Sequence, residues 1–234
     1  MIEEPKLLTI NRKMRRPNSA QIAAFQGVPT GFVVDAMKGA GALSSAIKPL
    51  GGGRDIPCMA CGPALTADNG PGDILATLGA LKYIQPGDIV VAAFAGFQGC
   101  AAAGDRVTGM SKNQGAAGFV TDGPMRDYTG IVEVGLPSWC TGLTPASPFS
   151  NGPGRVGLPV QIGGQRVATG DMIVADLDGV VVVPFTKIDA VIEALETVKT
   201  LEYDLDAEVA EGLGLPEPIA AILDSDQVDY VDEE

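Results

Sequence analysis

Arg126 and Asp127 stand side by side in TDGPMRDYTG (residues 121–130), directly behind the apolar run Gly118-Phe119-Val120. Such a pair at the end of a buried strand is either a structural ion pair or half of an active site. A second candidate loop precedes it, in the spacing Asp105-X20-Arg126-Asp127. If a helix starts near Gly104, several free backbone N–H groups there point at one spot and form an anion site for a carboxylate or phosphate. Parallel neighbouring strands would bring both loops to one sheet edge. Asp127 could then anchor a divalent cation that keeps most of its water, while Arg126 and the amides hold a 2-oxo acid against it. Cation and guanidinium together would stabilise an enolate at the keto oxygen, and a water oriented by Asp105 could carry protons.

The chain of 234 residues has no histidine, which excludes Ser-His and Cys-His nucleophile pairs, histidine bases and histidine-ligated metals. Any metal would take oxygen ligands, and Mg²⁺ or Mn²⁺ is expected. Cys58 and Cys61 form a CxxC without a second pair, and IPCMACGPALTA reads as a strand, so these are expected to be small buried apolar residues. A formal charge of -13 argues against nucleic-acid or anionic-membrane binding. The basic cluster Arg12-Lys13-Arg15-Arg16 reads as a solvated N-terminal arm. No stretch is long and apolar enough for a membrane span or signal peptide, and a soluble, cytoplasmic protein is expected. Lys82 follows an apolar helix face and shows no sign of a buried Schiff-base lysine, and Asp176-Leu177-Asp178-Gly179 reads as a hairpin turn rather than a metal-binding DxD.

The elements that must position these residues follow from periodicity and punctuation. Short helices are predicted over 19–25 and 30–37, opened by the hydroxyls of Ser19 and Thr30, then a Gly-rich loop over 38–53 and a strand over 57–66. Residues 71–84 read as an amphipathic helix, 89–94 as a strand buried on both faces, 100–112 as a helix and 118–121 as the next strand. This strand, helix, strand order favours a parallel α/β unit. Strands are predicted over 156–162, 165–168, 172–175 and 180–183 in antiparallel hairpins, and a helix over 187–202. The acidic end, DSDQVDYVDEE, reads as mobile or dependent on a partner.

The spacing Asp105-X20-Arg126-Asp127, the segments GAAGFVTDGPMRD and GGQRVATGDMIVADLDGVVVVP, and VVDAMKGAG, IKPL, GPALTADNGPGD and QPGDIVV together resemble the RraA-like family over roughly residues 20 to 212. The resemblance implies an α/β/β/α sandwich of the swivelling β/β/α type in a single domain, here residues 19–214 between an arm at 1–18 and an acidic extension at 215–234. It implies a metal-dependent lyase of the class II 4-hydroxy-4-methyl-2-oxoglutarate / 4-carboxy-4-hydroxy-2-oxoadipate aldolase type, which also decarboxylates oxaloacetate, assembled as a homotrimer or homohexamer. By the same resemblance Asp127 is the direct metal ligand, Arg126 binds the pyruvyl group, Asp105 holds metal-bound water, and the amides of Gly104 to Val107 cradle the substrate carboxylate. Glu202, supplied by a neighbouring subunit, would complete the site.

The chain departs from the family at Gly130, where an acidic residue is common, at Arg106, where leucine is common, and over 143–155 and after Gly214. The Gly130 and Arg106 departures keep open a metal-dependent enzyme acting on another hydroxy or sugar acid, and the resemblance itself implies a second alternative, a ribonuclease regulator that works by protein contact. No Gly-rich nucleotide-binding fingerprint follows the first strand, which speaks against a methyltransferase.

Overall fold

The computed structural model describes residues 6–232, and the chain divides into two compact units, Met1–Leu195 and Glu196–Glu234. The first unit holds every strand of the described residues: β1 (Leu8–Ile10), β2 (Lys48–Pro49), β3 (Ala60–Asp68), β4 (Ile89–Ala93), β5 (Gly118–Thr121), β6 (Ser138–Cys140), β7 (Gly154–Val156), β8 (Val160–Ile162), β9 (Gln165–Val167), β10 (Met172–Ala175) and β11 (Val180–Val183). Its helices are α1 (Ser19–Ala24), α2 (Thr30–Ala36), α3 (Leu75–Ala80), α4 (Asp105–Asn113) and α5 (Tyr128–Val134). Helix α6 (Ile188–Ala210) starts in the first unit and ends in the second, which also contains α7 (Glu217–Leu223). The second unit exposes Leu201, Val209, Ile219 and Ile222 among its acidic residues.

The main sheet runs β1-β7-β3-β4-β5-β6-β2, and β3, β4, β5 and β6 are parallel. Alternation along the strands sorts the core into layers. Val90, Ala92 and Phe119 face Ala76 and Ala80 of α3, Val107 of α4 and Ile131 of α5. Ile89, Val91 and Val120 face the opposite way, onto Val160, Ile162, Val167, Ile173 and Val182 of the β8–β9 and β10–β11 ribbons. The outer faces of β10 and β11 (Met172, Val174, Val181, Val183) pack on Phe25, Val33, Ile188, Val191 and Leu195. The mixed α/β fold with two β layers between helices is thus the expected one.

Strand β3 belongs to both β layers. Ala60 to Pro63 pair antiparallel with β10, and Ala64 to Asp68 pair parallel with β4. The change of partner occurs beside Gly62, where a Cβ would lie 2.0 Å from the Gly87 carbonyl oxygen, so only glycine fits.

Several expectations shift. Residues 100–104 are not helical: Ala101 and Ala102 donate to the carbonyls of Ala146 and Pro124, and α4 begins only at Asp105. The single strand predicted over 156–162 is two, because Gly157 (φ 74°) turns the chain; β7 joins β1 and β3 while β8 pairs with β9. The cap of α1 is Asn18 in a capping box with Gln21, not Ser19; Thr30 instead gives its N–H and hydroxyl to Asp176. Predicted helix 71–84 is regular only over α3, followed by a 3-10 turn at Leu81–Tyr83. Elements β1, β2, α5, β6 and α7 had no expectation attached. The CxxC reading holds: Cys58 and Cys61 are buried free thiols, and burial pushes Cys61 up to about 12.

Candidate active site

Both candidate loops leave the carboxyl ends of parallel strands, β4 and β5. Asp122, at the tip of β5, accepts N–H bonds from Phe94 (2.6 Å) and Gly96 (2.8 Å) and so ties down the turn after β4. Burial pushes its carboxyl above the usual range, against the opposing pull of those two donors, and its task is structural.

Met125 is fully buried and forms isolated bridges to Ala103 on one side and Leu143 on the other. Arg126 N–H then donates to the Ala103 carbonyl at 3.0 Å, which sets the two loops in register. Asp127 follows in a left-handed conformation (φ 60°, ψ 46°) and opens α5. A non-glycine residue held there costs on the order of 1–3 kcal/mol, a strain found where surrounding structure fixes a side chain for use. The Arg126 Nε lies 3.2 Å from Asp127 Oδ2, and both side chains are partly exposed. Arg126 Nη1 donates to Ser147 Oγ at 2.5 Å, and Nη2 has no protein partner among the described residues.

Helix α4 starts with Gly104 as its extended N-cap. A Cβ there would sit 2.6 Å from Asp127 Oδ2, so glycine is what allows the two loops to meet. Thr108 N–H donates to the Gly104 carbonyl, and Arg106 N–H to Asp105 Oδ1 at 2.6 Å. Of the expected cradle, the Arg106 amide is therefore taken, and the N–H groups of Asp105 and Val107 are the open donors of the first turn. Gly130 in α5 packs on the other side of Asp105, where an added Cβ would lie 2.7 Å from both its Cβ and its Oδ2. The acidic residue that the resemblance leads one to expect at this position has no room here.

The Arg126–Asp127 pair lies between two hollows. A cleft of about 40 Å³ is lined by Gly104, Asp105, Arg106, Val107 and Pro148, and one of about 310 Å³ by Tyr128, Leu143, Thr144 and Pro145, with Arg126 and Asp127 in both. Segment 143–152 forms one wall because Asp73 accepts from Asn151 N–H (2.6 Å), Gly152 N–H and Leu75 N–H, pinning the loop to the start of α3. Ser147 and the Tyr128–Asp55 hydrogen bond were not legible in sequence; nothing periodic links Ser147 to Arg126. Glu202 lies on α6 in the second unit.

A family model described as RraA-like, Aldolase/RraA, matches residues 30–182. The chain belongs to the RraA-like family. The matched span includes Asp105, Arg126 and Asp127 and ends before Glu202. Within the family, a Halalkalibacterium halodurans protein named "Putative 4-hydroxy-4-methyl-2-oxoglutarate aldolase" is 40% identical over 163 residues, 70% of this chain and 76% of its own. A Burkholderia mallei protein of the same name is 30% identical over 140 residues, 60% of this chain and 82% of its own. Streptomyces coelicolor RraAS2, described as an unusual member of the RNase ES inhibitor RraA protein family, is similar in structure with a TM-score of 0.69 at 30% identity, covering 82% of this chain and 100% of that one. Among the described residues no helix is long and apolar enough to cross a membrane.

Proposed function

We propose that this RraA-like protein is a lyase of the aldolase type that cleaves a C–C bond next to a pyruvyl group. Its substrates would be a 4-hydroxy-2-oxo acid such as 4-hydroxy-4-methyl-2-oxoglutarate, and oxaloacetate by decarboxylation. The observation that carries this reading is the convergence of one open guanidinium nitrogen, two open amides and two carboxylates on a single cleft.

The donor set fits a divalent cation of the Mg²⁺ or Mn²⁺ kind. Asp127 and Asp105 supply hard oxygens, and among the described residues no third acid, cysteine or histidine joins them in a closed cage, as suits an ion that keeps most of its water. Bound there, such an ion would supply positive charge to stabilise an enolate. Arg126 Nη2 offers a hydrogen bond to the substrate, and the Asp105 and Val107 amides hold its carboxylate. As the C–C bond breaks, its electron pair moves onto the keto oxygen, where Arg126 meets the growing negative charge. In the retro-aldol direction the 4-hydroxyl loses a proton to water held by Asp105, and C3 of the released pyruvate unit regains one; decarboxylation needs only the second transfer. Gly130 carries no side chain to press on Asp105 Oδ2. Completion of the site by Glu202 of a neighbouring copy, in a homotrimer or homohexamer, belongs to the same proposal.

A second reading draws on the likeness to RraAS2: binding and inhibition of a ribonuclease without chemistry. Pyruvate release from both substrates, with Mg²⁺ and then with EDTA, separates the two. EDTA-sensitive release that disappears in Arg126→Ala, a loss of about 3 kcal/mol or more of transition-state stabilisation, supports the lyase. Absence of pyruvate from either substrate, or a fully active Arg126→Ala, overturns it.

A further inference from the structure

A roomy hollow of the first unit lies away from the Arg126–Asp127 pair. It is a cleft of about 560 Å³ between the N-terminal arm, the β8–β9 ribbon and the start of the chain after β11, and it presents Lys13, Arg15 and Arg166. In a chain of formal charge -13, three cations around one hollow call for a counter-ion. The cleft itself does not supply one. Asp171 is the one carboxylate lining it, and that side chain is buried with its oxygens spent on the N–H groups of Ala168 (2.7 Å) and Phe185 (2.8 Å). Neither Lys13 nor Arg166 has a side-chain ion pair or hydrogen bond among the described residues.

The arm that carries Lys13 and Arg15 is also held in place rather than loose. Arg16 forms a two-point pair with buried Asp88, at 2.7 and 2.8 Å, and donates to the Arg15 carbonyl. Asn11 donates to the Gly157 carbonyl at 3.1 Å and accepts from Lys13 N–H. The arm lies so close to Gly170 that a Cβ there would come within 2.6 Å of the Arg15 carbonyl oxygen. The Arg15 guanidinium stacks over the Phe185 ring, 4.0 Å from its centroid. Preorganisation of this kind lowers the ordering cost of binding.

We infer that this cleft is a second ligand site, distinct from the Arg126 site, for a small organic anion bearing two or more carboxylate or phosphate groups. Three cations match the charge. The volume exceeds that of a lone inorganic ion and falls in the range of organic-ligand pockets, and Met14 and Phe185 supply apolar walls for a carbon body.

Calorimetric titration of the full chain with citrate and with adenosine diphosphate tests this and tells the carboxylate source from the phosphate source. At low salt at least one probe is expected to bind with a Kd below about 1 mM, weakening as salt rises. Each of Lys13→Ala and Arg166→Ala should weaken it about tenfold, the usual scale for one charge-assisted hydrogen bond. Both side chains are exposed and unpartnered, so the variants should unfold at the wild-type temperature, which is checked in parallel. Arg126→Ala should bind the probe unchanged, which keeps this result separate from the fate of the lyase reading. No binding below 1 mM, equal binding by the Lys13→Ala/Arg166→Ala double variant, or loss of binding in Arg126→Ala overturns the inference.

Discussion

Replacing Gly130 by alanine separates the fold from the proposed chemistry. The added Cβ would lie 2.7 Å from Asp105 Cβ, almost 1 Å inside an ordinary carbon–carbon contact of about 3.5–4.0 Å. Rotation of the Asp105 side chain cannot relieve this, because its Cβ is fixed by the backbone at the first residue of α4. The starts of α4 and α5 must therefore move apart, or the carboxylate must be carried with its backbone. Overpacking costs about 1–3 kcal/mol, while exchanging glycine for alanine inside α5 returns about 1 kcal/mol of helix propensity. Net destabilisation should thus be at most about 2 kcal/mol, a fall of up to about 8 °C in Tm for a chain of this size. A displacement approaching 1 Å at a positioned carboxylate is worth up to about a hundredfold in rate. The measurement is kcat/KM for pyruvate release alongside thermal unfolding of the same preparation. Activity within twofold of wild type would refute the argument that Asp105 must sit where Gly130 allows it.

Other outcomes follow from individual contacts. Arg16→Ala strands the carboxylate of Asp88, which is 1% exposed, and should cost about 3–5 kcal/mol, seen as a Tm lower by about 6–20 °C and partly restored by Asp88→Asn. Ser147→Ala removes the acceptor of Arg126 Nη1 and should lower kcat/KM by about tenfold without changing Tm by more than a degree or two. Asp122 has a raised folded-state pKa, so the proton it binds stabilises the fold at low pH, and this contribution is lost as pH rises through that value. Unfolding of wild type and Asp122→Asn across pH 4 to 8 should show the difference moving in favour of wild type as pH falls; a pH-independent difference would contradict it.

Strong signals in the sequence were those of continuous burial and glycine punctuation. Strands β4, β5, β10 and β11 are apolar on both faces because layers cover both, and runs such as Ile89 to Ala93 are readable for that reason. Helix α5 was not, since YTGIVEV carries a glycine and four β-branched residues and opens from a left-handed aspartate instead of a capping side chain. Strand β6 escaped because Ser138-Trp139-Cys140 is too short for a period to show. At the site, Asp105, Arg126 and Asp127 were legible by spacing, whereas Ser147 reaches Arg126 only through the Asp73 clamp on its loop. The basic arm was expected to be solvated; instead Arg16 finds Asp88, 72 positions on, and no local pattern encodes a pairing at that separation.

Strand β3 gives the first unit a property that its layers would not have separately. Its first half is the edge on which the β10–β11 ribbon is built, and its second half is an interior member of the main sheet. Withdrawing the ribbon exposes Ala64, Ile89, Val91 and Val120 to water, and withdrawing the main sheet removes the ribbon's template. Neither sheet therefore has a melting transition of its own, and amide hydrogens in β4 and β10 should exchange with the same opening free energy.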